Sequence, residues 1–144
     1  MNIFSIITTL TIFFGYVAAH IGSVSTTTTS LTVTSSSVLP LTFSTITSPT
    51  NNIDFSVVVG LAPASDHDAP PSLGETWLQN FDLVALGHAE TNTGSFTLQV
   101  PINTSNAGVF TSGTFTVTAA VTSAFGALYG TQLEFFQVTV QLTI

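Results

Sequence analysis

Asp66-His67-Asp68 is the densest group of polar side chains in this sequence, and its two carboxylates and one imidazole are ligand types that suit Ca²⁺ or Zn²⁺. Neighbouring residues of an extended chain point to opposite sides, so only a tight loop would converge all three. Glu75, or His88 with Glu90, would complete a site if the fold brought those loops together. Pro63, Pro70 and Pro71 bracket the group and mark a solvated loop, so no metal and no cofactor is expected, with Asp66, His67 and Asp68 as the metal-ligand candidates. A Ser/His/Asp set can be drawn from His67 or His88 and the many serines, but no Gly-x-Ser-x-Gly elbow is present. The seven carboxylates, Asp54, Asp66, Asp68, Glu75, Asp82, Glu90 and Glu134, fall into no motif of the kind that glycoside hydrolysis requires. The expectation is a protein that is not an enzyme.

Two further groups of residues bear on binding. Past the leader described below, Trp77 and Tyr129 are the only large amphipathic rings, and on one face or rim of a sheet they could stack sugars. A single Trp in a small β-sandwich more often plugs the core, and that is the expectation for Trp77. Asn103-Thr104-Ser105 is a glycosylation sequon, placing Asn103 in a loop where a glycan is tolerated.

Composition excludes more than these motifs include. The 144 residues contain no Lys or Arg, where an average chain would have about sixteen, and the net charge is −7. There is no guanidinium fork for phosphate, no catalytic lysine, and no basic patch for a nucleic acid or an anionic membrane. Hydrophobic residues make up 44% of the chain, twelve of them Phe, so a packed core is available despite the low charge. Solubility then rests on Ser and Thr hydroxyls and on repulsion among the acids.

Residues 1–19 read as a secretory signal peptide: an apolar run from Ile3 to Val17 closes on Val17-Ala18-Ala19, small residues that suit cleavage before His20. The run is interrupted by polar residues and is short for a membrane span of about 20 apolar residues. An exported chain with no Cys must hold together by packing alone. Gln132 to Ile144 alternates like a strand, which disfavours a lipid anchor of the GPI type.

Residues 20–37 form a Ser/Thr-rich lead, read either as an O-glycosylated stalk or as an edge strand, with few core-forming side chains before Leu31 and Val33. Residues 38–144 form the domain. Phe115, Val117, Ala119 and Val121 alternate with Thr114, Thr116, Thr118 and Thr122, one face for the core and one for water. The same period places Ile53, Phe55, Val57, Val59 and Leu61 on one face, and likewise Phe81, Leu83 and Ala85, and Phe96, Leu98, Val100 and Ile102. Phase changes between Phe135 and Phe136, which predicts a bulge there. About seven strands, with no helical period, predict an all-β, two-sheet antiparallel sandwich of immunoglobulin or fibronectin-III type.

Thr93-Gly94-Ser95-Phe96-Thr97-Leu98-Gln99-Val100-Pro101, followed by Ser112-Gly113-Thr114-Phe115-Thr116-Val117, resembles the paired strand motifs of the Ser/Thr-rich, Kre9/Knh1-like family of fungal cell-wall proteins. That resemblance implies an immunoglobulin-like extracellular module in a wall or matrix and assigns no catalytic residue. The expected protein is secreted, extracellular or wall-associated, and structural or adhesive, with a carbohydrate-binding module as the alternative. Its expected partners are wall or matrix polysaccharide or further copies of itself, with no nucleic acid and no membrane once the leader is removed.

Overall fold

The computed structural model describes residues 18–66, 72–90, 94–102 and 111–144. Eight strands follow one another: β1 (Ala19–Ser25), β2 (Ser30–Thr32), β3 (Val38–Thr47), β4 (Asn52–Pro63), β5 (Thr76–Asp82), β6 (Ser95–Pro101), β7 (Gly113–Phe125) and β8 (Gly130–Thr143). One sheet has the order β1-β3-β6 and the other β2-β8-β7-β4-β5. With β1, β3, β4, β5, β6, β7 and β8 taken as strands A, B, C, C′, E, F and G, the sheets read A-B-E and G-F-C-C′. This is the fibronectin-type form of the sandwich that the sequence predicts, with β2 added beside the last strand.

Alternation in the sequence becomes a closed core between the sheets. Leu39, Leu41 and Phe43 of β3 and Leu98 and Val100 of β6 face Val57, Val59 and Leu61 of β4, Phe115, Val117, Ala119 and Val121 of β7, and Val140 and Leu142 of β8. Phe96 and Phe136 pack against this core while staying partly exposed, and Phe96 stacks on Phe43 with ring centroids 5.3 Å apart. β1 belongs to the sandwich: Ala19 and Ile21 are buried, so core-forming residues begin earlier than Leu31. Within the 20–37 lead, β1 and β2 are edge strands of the two sheets and the remaining residues are loop and turn. All of the leader before Ala18 lies outside the described residues.

Three departures from simple alternation shape the molecule. Between Asp54 and Ser56 the β4–β7 register shifts, so Asp54 turns inward and Phe55 is 39% exposed, against the expectation that Phe55 shares the core face. Between Val59 and Gly60 the β4–β5 register shifts, which buries Leu78 and sends Trp77 to the opposite face; β5 then ends at Asp82, leaving Ala85 exposed in a turn. No shift occurs at Phe135 and Phe136, which pair in continuous register with Ala120 and Ala119. The bulge predicted there is absent because Phe135 simply faces outward over Ala120 while Phe136 faces the core. β8 nonetheless serves two neighbours, antiparallel β7 and parallel β2.

The outer face of β7 is not fully wet either. Thr116 and Thr118 are buried, and Thr118 Oγ1 has no hydrogen-bond partner. Gly60 is the neighbour of Thr118 in β4, and a Cβ there would collide with the Leu73 carbonyl oxygen. The chain therefore folds back across this face at Leu73, and the closeness of the approach accounts for Gly60. Gly74 completes the fold-back at φ 91°, a left-handed conformation that disfavours side chains, with Leu61 backbone 2.8 Å from where its Cβ would stand.

Candidate functional site

The acidic loop follows β4. Ala64 donates its N–H to the Thr114 carbonyl and Asp66 donates to Pro63, making an exposed turn. His67 and Asp68 lie outside the described residues, as does Asn103 with its sequon. Glu75 leads into β5, while His88 and Glu90 follow it, so Glu75 and His88 are separated by the seven residues of that strand, on the order of 20 Å. His88 stacks on Phe96 with centroids 4.2 Å apart, and its N–H bonds the Leu83 carbonyl. The structure does not bring Glu75 together with His88 and Glu90. Among the described residues no group of three His, Asp or Glu side chains is placed to hold a metal ion.

Trp77 is the clearest correction to the sequence reading: it is 61% exposed rather than in the core. Leu78 takes the core place because the bulge opposite Val59 and Gly60 shifts the strand by one residue. Facing Gly60 in register, Trp77 shares the outer face of the five-stranded sheet with Asn80, which faces Val58; Glu75 is exposed just before the strand. No side chain at Gly60 stands between the indole and the Leu73 backbone.

Tyr129 is 62% exposed but lies elsewhere. It closes the turn between β7 and β8 at φ 50°, its N–H bonding the Gly126 carbonyl, while Gly126 N–H bonds Asn51. Trp77 sits in the row of Thr118, and Phe125 beside the turn is seven residues further along β7, about 23 Å at roughly 3.3 Å per residue. The two rings do not form one platform. The turn carries its own apolar tip, with Phe125, Leu128 and Tyr129 all exposed.

One group that the sequence reading did not single out is Asp54. Its side chain is buried at the end of the sandwich nearest the β7–β8 turn, where Oδ2 accepts the Ile21 N–H at 3.0 Å and Oδ1 is 3.4 Å from Asn52 Nδ2. Burial raises its pKa above the ordinary carboxylate value; the Ile21 N–H and nearby His20 oppose that rise, and Glu134 adds to it. Nothing in the residue types signals it, because Asp54 stands at a polar position of the regular alternation Ile53, Phe55, Val57 and turns inward only through the register shift. Since Ile21 belongs to β1 and Asp54 to β4, this bond ties one sheet to the other.

The described residues thus provide an exposed indole flanked by amide and carboxylate, an apolar turn, and a buried carboxylate used as a structural tie. No curated protein sequence matches the chain. A family does: residues 17–141, nearly the whole chain, match the Nis1 family, and the protein belongs to the Nis1 family.

Proposed function

We propose that this chain is a secreted, non-enzymatic protein with a structural or adhesive role in an extracellular matrix or cell wall. The observation that carries the reading is the chemistry of its outer faces. On β6 the exposed side chains are Ser95, Thr97 and Gln99, and on β8 they include Gln137, Thr139 and Gln141. Hydroxyls meet across strands, Thr42 with Thr97 at 3.0 Å and Ser56 with Thr122 at 2.6 Å. Hydroxyls and amides on the outer faces of both sheets suit a polymer that is itself made of hydroxyls. The likeness of Thr93–Pro101 and Ser112–Val117 to Kre9/Knh1-like wall proteins supports the same setting and suggests a fungal source. The leader expected over residues 1–19 supports secretion, and Asn103 is a site where a glycan would be carried.

Co-sedimentation with insoluble wall polymers tests the role. The secreted protein should pellet with glucan- or chitin-rich wall fractions and stay bound in about 1 M salt, since screening at a Debye length of about 3 Å removes ionic attachment but not hydrogen bonding or stacking. Protein left wholly in the supernatant of every fraction would defeat the reading. A carbohydrate-binding module is the second reading, and the exposure of Trp77 favours it.

A further inference from the structure

The geometry points to Trp77 and Asn80 on the outer face of edge strand β5, with Glu75 just before the strand, as a binding site for a polysaccharide chain that carries no negative charge; this rests on the adhesive reading and names its ligand class. A sugar ring presents two kinds of surface, apolar C–H faces and a rim of hydroxyls. Recognition therefore needs an accessible aromatic face with hydrogen-bonding groups beside it.

Trp77 provides the first, being 61% exposed, with Gly60, Val58, Asn80 and Asp82 as neighbours on that face. Asn80 lies on the same face, and Glu75 precedes the strand two residues before the indole; both are exposed. A carboxylate accepts bonds from hydroxyls, and an amide both donates and accepts. Gly60, its partner in β4, has no side chain, and the Leu73 carbonyl lies over it.

Charge selects among polymers. With seven acids and no Lys or Arg, the chain has nothing to pair with a uronate or a sulfate and would repel it, which excludes anionic polymers. The surroundings of Trp77 also separate it from the β7–β8 turn. There Leu128 is 96% exposed beside Phe125 and Tyr129, a largely apolar cluster with the Tyr129 hydroxyl as its hydrogen-bonding group.

The chain has one Trp, so its emission reports this site directly. Titration of the secreted protein with cellohexaose, laminarihexaose and chitohexaose should give a saturable change in Trp emission with at least one of them and none with an oligogalacturonate. Trp77→Ala, followed by calorimetry, should weaken that binding about tenfold or more, whereas Trp77→Tyr should keep part of it and Tyr129→Ala all of it. Thermal melts close to the parent's would show that the exposed position tolerates change. Pelleting with wall polymers that Trp77→Ala leaves intact would overturn this site while the adhesive role stood. Failure of the parent to bind any polymer would remove both. Emission that responds to added protein and to none of the sugars would assign the face to a protein partner and overturn the proposal.

Discussion

Asp54 shows how one side chain can tie two sheets. Its carboxylate is buried and accepts the Ile21 N–H, so the first strand of one sheet hangs on a charged group of the other. Burial raises its pKa in the folded state, which means that folding disfavours the ionised form. The sign follows: below the unfolded value, about 3.9, the group is protonated in both states and carries no penalty. As pH rises through the raised folded value, the ionised carboxylate remains desolvated, and its contribution to stability falls. Asp54→Asn keeps an oxygen for Ile21 without the charge. It should melt higher than the parent at pH 7, by an amount that shrinks as pH falls towards 4. Asp54→Ala instead leaves the buried N–H without its acceptor and should cost about 1–3 kcal/mol. An Asn variant less stable than the parent at pH 7 would show that the charge itself strengthens the tie.

At the level of strands, period and hydrophobicity located nearly everything, and backbone register decided what they could not. The core face of β7 and that of β6 follow directly from alternation at Phe115 to Val121 and Leu98 to Ile102. Phe55 and Trp77 do not, because a bulge adds one residue to one strand and flips the phase beyond it, an event with no marker in residue type. Thr116 and Thr118 read as wet for a different reason: the segment over them is a loop that touches the sheet through backbone at Leu73, which hydrophobic pattern cannot report. Gly60 was the one residue that could have hinted at such an approach. The bulge makes a measurable contrast. Phe115→Ala should cost about 3–5 kcal/mol, whereas Phe55→Ala, outside the core by virtue of the shifted register, should cost about 1 kcal/mol or less in urea unfolding. Equal losses would mean that Phe55 occupies the core in solution.

For the molecule as a whole, the absence of Lys leaves its sheet edges to be protected by other means. β1 has a register shift at Gly22 and its outward Ile21 N–H is taken by Asp54; β2 is three residues long; β5 is paired across a bulge and ends in Asp82. β6 has none of these devices. Its pairing with β3 is regular from Ser95 to Pro101 and no charge occurs along it; among the described residues, the stack of His88 on Phe96 shields one end and Pro101 leaves no donor at the other. Because Ile102 N–H bonds Ser37 and Thr45 N–H bonds Gly94, the even-numbered residues of β6 face β3, and the N–H groups of Ser95, Thr97 and Gln99 point away. A second copy can add there, and what opposes it is the repulsion between two chains of charge −7, which vanishes near the pI of about 4.1. Sedimentation should therefore show concentration-dependent association that strengthens from pH 7 towards pH 4. Gln99→Pro removes an outward donor without touching the β3–β6 ladder, so it should weaken association while leaving the melting temperature nearly unchanged. A monomer at every pH, or association indifferent to Gln99→Pro, would move the contact away from β6.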